Sequence, residues 1–246
     1  MKQLRLAALA LGFAAGFTGQ LHAATAPLDG VYVVGAIQRL HATEPSFSFD
    51  DLRRIIDAVR PDVLVLEVRP DELAERKDTQ GRPEYPAVVW PWLAAHPATA
   101  LPMEPGGKAF EAMTGDAGRR FEAFAKEQPE ADAYMTRLGR ALSSVLQDHW
   151  RHPADAHDAV TRDLIRAQGL AQAKLGGEGF ATSQAAWDGY MVDRTREAIA
   201  AHPGKRILVL ASYRNLNAFR TGLTGEARLV DMEPWLREAL PAASVR

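Results

Sequence analysis

A single carboxylate stands inside an otherwise apolar run of the sequence. Glu67 lies near the end of "DVLVLEV" (62–68), which has the length and the β-branched content of a buried strand. Burying an ionised carboxylate is costly unless a cation or hydrogen-bond donors pair with it. Two interpretations therefore stay open. Glu67 is either a metal ligand or general base, or it is one half of an internal ion pair.

Polar side chains also follow two other predicted strands, "VYVVG" (31–35) and "KRILVLAS" (205–212). Ligands of open α/β sheets bind beyond the carboxyl ends of the strands, so these side chains and Glu67 are expected at one site. In this site Glu67 and His41 are the candidate catalytic residues, with His41 as a base. The candidate ligand-binding residues that follow the strands are Gln38, Arg69, Tyr213 and Arg214.

A predicted helix over 182–202 supplies a further candidate. Trp187, Met191 and Arg194 follow one another at steps of three and four residues, so they share one helix face. An unpaired guanidinium on an apolar face is unfavourable, and we expect Arg194 to reach Glu67. Arg214 is the second candidate partner. The alternative for both arginines is an exposed position with only the aliphatic part of the side chain covered.

The pattern between these positions predicts an α/β fold. Leu52, Ile55, Ile56 and Val59 recur at helical spacing after a capping box of Ser48 and Asp51, so strand, helix and strand follow one another as a βαβ unit. We expect a mostly parallel central sheet flanked by helices. A helical insertion is predicted between about 70 and 200, and a last short strand over 227–232.

The first 23 residues have the features of a secretory signal peptide. Lys2 and Arg5 precede the apolar run "LAALALGFAAGF", and small residues follow it. We expect cleavage after Ala23, with Ala26 as the second choice, a single domain over 24–246, and a periplasmic or secreted location. An uncleaved membrane anchor is the alternative.

The composition of the mature chain restricts its partners. Without Lys2 and Arg5 it carries 27 basic and 31 acidic residues, a net charge of −4, and no basic stripe, which argues against nucleic acid as a partner. The chain has no cysteine, so disulfides and thiolate chemistry are excluded. No stable membrane association is expected after signal cleavage.

A histidine-rich stretch, "HWRHPADAHD" (149–158), is the other candidate for metal binding. His149 and His152 are three residues apart, which could place both rings on one helix face. Pro153 breaks the helix at that point, however, and nothing fixes His157 or Asp158 relative to the other two. A solvated helix end is therefore the favoured interpretation.

The order of these motifs resembles the superfamily that groups TraB/PrgY-type proteins, TIKI metalloproteases, haem-binding ChaN lipoproteins and erythromycin esterases. The resemblance rests on "VYVVGAIQ", "DVLVLEVRPDEL", "YMVDRTREAI" and "KRILVLASYR". It implies an α/β fold with two Gly-x-x-His motifs and a strand that ends in Glu. A divalent metal or haem is the cofactor that the resemblance implies, with Tyr213 or a histidine as an axial haem ligand.

The sequence departs from that family pattern at the histidines. Gln38 stands where the first motif has His, and Ala211 and Arg214 replace the Gly and His of the second motif. A neutral amide binds a divalent cation weakly and a guanidinium repels one. We therefore expect a metal-free pocket in which an arginine faces Glu67 and which binds a small molecule or peptide. The alternative is a hydrolase, of peptidase or esterase type, that uses Glu67 and His41 with or without metal.

Overall fold

Four parallel strands form the sheet in the computed structural model, which describes residues 29–76 and 81–241. The predicted signal peptide lies outside the described residues. The strands are β1 (Val31–Ala36), β2 (Val63–Leu66), β3 (Thr99–Pro102) and β4 (Ile207–Ser212). Their order in the sheet is β1-β4-β2-β3, so the last strand of the chain lies between the first two.

The burial of the four strands agrees with their apolar content and with their positions in the sheet. Every residue of β1, β2 and β4 is buried, as the continuous apolar runs predict for a parallel sheet that is covered on both faces. Strand β3 is at the edge and is partly exposed. The predicted α/β class with a parallel sheet flanked by helices is therefore confirmed.

Helices make up most of the remaining described chain. The α-helices are α1 (Phe49–Val59), α2 (Pro70–Glu75), α3 (Trp90–Ala95), α4 (Gly107–Glu127), α5 (Pro129–His149), α6 (Ala159–Gly176), α7 (Glu178–Ala201), α8 (Leu216–Gly222) and α9 (Met232–Ala239). Short 3-10 helices cover Gln38–Ala42, Pro153–His157 and Tyr213–Asn215, and one π-helical turn covers Tyr85–Val89.

Helix α1 forms where its sequence signals place it. The Ser48 side chain accepts a hydrogen bond from the Asp51 N–H, and the Asp51 carboxylate accepts one from the Ser48 N–H, which completes the capping box. The four apolar residues at helical spacing are all buried. The helix ends at Arg60, in the left-handed conformation, directly before Pro61.

Two predicted elements have different bounds in the structure. Helix α7 begins at Glu178, four residues before the predicted start, because only Gly177 separates it from α6. The predicted strand over 227–232 is reduced to a single bridge between Val31 and Leu229. Asp231 already caps α9, which leaves no length for a longer pairing with β1.

Four helices between β3 and β4 follow one another as α4 to α7. Each packs against its neighbour in sequence, and α4 also packs against α7. Helices α4 and α5 are mostly exposed, since each has one buried residue, Phe124 in α4 and Leu146 in α5. Within the described ranges, no helix is long and apolar enough to span a lipid bilayer.

Candidate functional site

A cleft of about 480 Å³ opens at the carboxyl ends of β1, β2 and β4. Its polar floor contains Gln38, Glu67, Ser212, Arg214 and Asn215, and its apolar wall includes Phe121 of α4 with Phe180 and Trp187 of α7. The structure thus brings three of the sequence-predicted residues, Gln38, Glu67 and Arg214, to one place. The apolar wall comes from helices α4 and α7; Trp187 belongs to the helix predicted to reach the site, whereas Phe121 and Phe180 were not predicted there.

Glu67 is buried at the floor of this cleft, and both of its carboxylate oxygens are engaged. Oε2 accepts a hydrogen bond from the Ser212 N–H at the end of β4. Oε1 accepts one from the Arg82 guanidinium at 3.1 Å. The prediction that Arg194 or Arg214 pairs with Glu67 is wrong, because Arg82 holds that position. The internal ion pair, one of the two interpretations of Glu67, is present.

Arg82 serves more than one acceptor. Its Nη2 also donates to the buried carboxylate of Glu104, which follows β3, and its Nη1 donates to the Glu67 carbonyl oxygen. Glu84 and Tyr85 lie beside it and are buried. We call Glu67, Arg82, Glu84, Tyr85 and Glu104 the Arg82 cluster. It contains three buried carboxyl groups and a single guanidinium.

Glu84 is the member of the Arg82 cluster that the guanidinium does not bind directly. Its Oε2 is buried and has no hydrogen-bond partner in the described residues, and the same holds for the Tyr85 hydroxyl. The pKa of Glu84 is raised to about 7, mainly by burial; the Glu67 carboxylate adds to the rise, whereas a backbone hydrogen bond and the charge of Arg82 act against it. Glu84 is therefore a group in the cluster that takes up a proton near neutral pH, and burial raises the pKa of Glu67 as well.

Arg214 is the exposed cation of the cleft. Its backbone N–H donates a hydrogen bond to the Ser212 hydroxyl oxygen at 3.3 Å, and its guanidinium lies over the Tyr213 ring, 5.4 Å from the ring centroid. The guanidinium also approaches the Gln168 amide oxygen at 3.5 Å. Within residues 29–76 and 81–241, Arg214 has no carboxylate partner, so its charge is available to a ligand.

Two other predicted ligand-binding arginines lie elsewhere. Arg194 is exposed and pairs with Glu197 on the same helix, so its predicted position on the buried stripe is wrong. The buried stripe of α7 runs instead through Met191, Thr195 and Ala198. Arg69 pairs with Asp71 and Glu72 at the start of α2 and does not line the cleft.

His41 does not line the cleft, and its ring is bonded to the backbone instead. Its Nε2 accepts a hydrogen bond from the Ile37 N–H at 3.0 Å, and its Nδ1 donates to the Phe47 carbonyl oxygen at 2.8 Å. Burial lowers the pKa of His41 to about 4, so the ring is neutral at pH 7. Both nitrogens bind the backbone, and the structure does not bring His41 together with Glu67 as the hydrolase hypothesis requires.

The end of β1 carries two unusual backbone positions. A Cβ on Gly35 would lie 3.0 Å from the Tyr213 Cα and closer still to the Leu216 side chain, so this glycine is required for the approach of the chain after β4. Gln38 has a φ of +55°, which a residue with a side chain rarely adopts. Strained backbone of this kind is concentrated at functional sites, and Gln38 lines the cleft.

The three histidines of the 149–158 stretch have different hydrogen-bond partners and do not converge. His149 pairs with Asp158 at 2.7 Å, His152 caps the Pro153–His157 turn, and His157 is buried beside β1. The described part of the chain contains no group of three or more His, Asp or Glu side chains placed to hold a metal ion.

The residues of the cleft do not fit the cofactors that the family resemblance implies. Both Glu67 oxygens are occupied by donors, and the guanidinium of Arg82 stands where a divalent cation would have to approach. Tyr213, the predicted haem ligand, is buried with its ring edge against Trp150, 5.4 Å between the centroids, and does not line the cleft.

Comparison of the chain with models of protein families, with curated proteins and with solved structures gives no match. The resemblance to the TraB, TIKI and ChaN superfamily therefore remains a prediction that rests on the four quoted motifs.

Sequence reasoning missed the Arg82 cluster except for Glu67. Arg82 lies in "GRPEY", a stretch that has neither helical nor strand periodicity and so gives no positional signal. Glu104 does follow a predicted short strand, and the rule that placed Glu67 at a strand end applies to it equally.

Proposed function

We propose that this chain is an exported, TraB/TIKI/ChaN-like protein whose cleft binds a small organic anion with an apolar body. The observation that carries the proposal is the charge of the cleft. Glu67 is already paired with Arg82, whereas Arg214 is exposed with no carboxylate partner in the described residues. The exposed charge that the cleft offers to a ligand is therefore the positive charge of Arg214.

The wall of the cleft supports an apolar or aromatic ligand body. Trp187 is half-buried and Phe121 is exposed by 54%, although both line the same opening. Aromatic side chains that stay accessible inside a concave site are typical of ligand pockets, which bury most of a small ligand against apolar surface. A volume of about 480 Å³ is within the usual range for such pockets.

The hydrolase alternative has less support. It needs a general base that faces the cleft, and the candidate His41 uses both ring nitrogens for backbone hydrogen bonds. Glu67 has no free oxygen for that role while Arg82 and Ser212 bind it. Binding without turnover is therefore the function that we propose.

The first experiment uses 8-anilinonaphthalene-1-sulfonate, an organic anion with an aromatic body, as a fluorescent probe. Replacing Arg214 with Gln removes a charge-assisted hydrogen bond, which is expected to raise the Kd of the probe about tenfold. Trp187→Ala is expected to weaken binding as well. The matched control is Arg194→Gln, which removes an exposed arginine that does not line the cleft.

Two outcomes of the binding experiment would contradict the proposal. A probe that does not bind, or that binds the Arg214→Gln variant as tightly as the unchanged protein, would show that the cleft is not an anion site. Export is tested separately by the mass of the protein that cells release, which should correspond to an N-terminus at Ala24.

A further inference from the structure

A second cavity, of about 320 Å³, shares no lining residue with the cleft. It lies beside β1, between the start of α6, helix α8 and the segment that leads into α9. Its polar lining consists of His157, Arg162, Arg220, Asp231 and Glu233. We call it the His157 cavity. It contains two cationic and two anionic side chains and a buried imidazole.

The imidazole of His157 has an unused donor. The side chain is only 2% exposed, and its Nε2 accepts a hydrogen bond from the Gly35 N–H at 3.3 Å. An accepting nitrogen carries no proton, so the proton of the neutral ring is on Nδ1. Burial, with a contribution from Arg220, lowers the pKa of His157 to about 3 and keeps the ring neutral. Among the described residues, the Nδ1–H has no hydrogen-bond partner.

Two guanidiniums line the same cavity as this donor, and neither forms a close ion pair within the described residues. Arg220 donates to the His157 carbonyl oxygen, and within the described ranges no carboxylate oxygen lies within 4.0 Å of its guanidinium. Burial lowers the pKa of Arg220, and the charge of Arg162 lowers it further. Arg162 itself has only a loose contact with Asp163 at 3.6 Å, on the exposed side. Positive charge is therefore concentrated at this end of the cavity.

Two carboxylates line the same cavity, but in the described residues they form no ion pair with its arginines. The carboxylates of Asp231 and Glu233 act on Arg220 through space and partly offset the lowering of its pKa, yet in the described residues neither forms an ion pair with it. Glu233 pairs with Arg237 at 3.4 Å, whereas Asp231 is exposed and, within the described residues, its side chain accepts a hydrogen bond only from the Glu233 N–H. The positive and negative side chains of the cavity thus face each other without direct contact.

The wall that joins the two charged ends is apolar. It includes the side chains of Val33, Phe219, Leu229 and Met232. Polar groups at fixed positions on an apolar wall give a pocket its orientation and specificity for a ligand. A ligand for this cavity needs an anionic group, a cationic group a short distance away, and an apolar substituent.

We propose that the His157 cavity binds a zwitterionic α-amino acid with an apolar side chain. Its carboxylate accepts hydrogen bonds from Arg162, Arg220 and the His157 Nδ1–H. Its ammonium group faces Asp231, and its side chain packs on the apolar wall. This binding site is separate from the cleft and does not depend on the function proposed for it.

The test is calorimetric titration with L-leucine, N-acetyl-L-leucine and L-leucinamide. Because the two derivatives lack the ammonium and the carboxylate respectively, each is expected to bind at least about tenfold more weakly than leucine. Arg220→Gln and Asp231→Asn are expected to weaken leucine binding by a similar factor. The matched controls are Arg53→Gln and Asp50→Asn, which change an exposed ion pair of α1 and should leave binding unchanged.

A measurement on the unchanged protein guards against variants that fail to fold. Leucine is expected to shift the ¹⁵N resonance of the His157 Nδ1 and to leave that of His41 in place. Absence of any leucine binding, or equal binding of leucine and its N-acetyl derivative, would overturn the proposal. Leucine binding that leaves the His157 resonance unchanged would overturn it as well, because the ligand would then be elsewhere.

Discussion

The Arg82 cluster and the His157 cavity are two polar regions that adjoin the end of β1, and they use their polar groups differently. In the cluster, one guanidinium binds Glu67 and Glu104 directly, and little space remains between the side chains. In the cavity, cations and anions stay apart and an imidazole donor is unused. Buried charges that bind one another hold the fold together, whereas charges that remain apart around a cavity are suited to a ligand.

The largest expected effect tests whether the Arg82 cluster is structural. Arg82→Met leaves Glu67 and Glu104 buried without their cation, which is expected to lower the free energy of unfolding by about 3–5 kcal/mol. Urea denaturation measures this. Arg53→Met, at an ion pair whose arginine is 58% exposed, is expected to cost less than about 1 kcal/mol.

A second variant separates loss of charge balance from loss of packing. Adding Glu67→Gln and Glu104→Gln to Arg82→Met removes the uncompensated carboxylates and should restore part of the lost stability. If the single variant Arg82→Met is as stable as Arg53→Met, the Arg82 cluster does not hold the strand ends together and the comparison fails.

The next effect concerns pH. The pKa of Glu84 is raised from 4.5 to about 7 in the folded chain, so between these values the folded state binds a proton that the unfolded state does not. The free energy of unfolding therefore falls as pH rises through this window, by about 3 kcal/mol. Glu84→Gln is expected to remove this dependence.

Denaturation curves between pH 4.5 and 8 measure the Glu84 contribution. The control is Glu122→Gln, which removes an exposed carboxylate of α4 and should leave the pH dependence as it is. The same slope in the Glu84→Gln variant and in the unchanged protein would mean that another group takes up the proton.

A smaller effect is expected at Gln38, which lines both the cleft and the Arg82 cluster. Its left-handed backbone disfavours a side chain, so Gln38→Gly should gain up to about 1 kcal/mol of stability. Arg60→Gly relieves a similar φ of +49° outside the cleft and serves as the control. Only the change at Gln38 should alter the Kd of the anilinonaphthalene probe.

The smallest effect distinguishes the two buried histidines without any ligand. Both rings accept a backbone N–H at Nε2, so both should be neutral with the proton on Nδ1 at pH 6. The His41 Nδ1–H is bonded to the Phe47 carbonyl oxygen and should exchange slowly with solvent, and the His157 Nδ1–H should exchange faster. A ¹⁵N spectrum that shows His157 protonated on Nε2 would contradict the assignment of a free donor.

The fold could be predicted from the sequence where the pattern is local. The periodicity of α1 and the apolar runs of β1, β2 and β4 specify the βαβ unit and the parallel sheet, and Glu67 lies at a strand end as expected. The bridge at Leu229 shows the limit, because a predicted strand gave way to the cap of α9.

The site was harder to predict because its contacts depend on position in three dimensions. Spacing placed Arg194 on the buried face of α7, but a period of 3.6 residues puts Thr195 there and turns Arg194 to solvent. Arg82 was missed because an irregular segment gives no periodic signal. His157 was grouped with His149 and His152 by proximity in sequence, although the Pro153–His157 turn separates their rings.

The place of β4 has a consequence for the time at which the fold can form. Among the four described strands, β1 pairs with β4 alone, through a register that joins Val31 to Ile207, and β2 also pairs with β4 on one side. A growing chain therefore has no strand partner for β1 until residues 207–212 have been synthesised. Contacts at such separation slow folding, since a long loop must close before the contacts form. Until residues 207–212 are available, β1 is an apolar segment without its strand partner, and such segments are prone to aggregate.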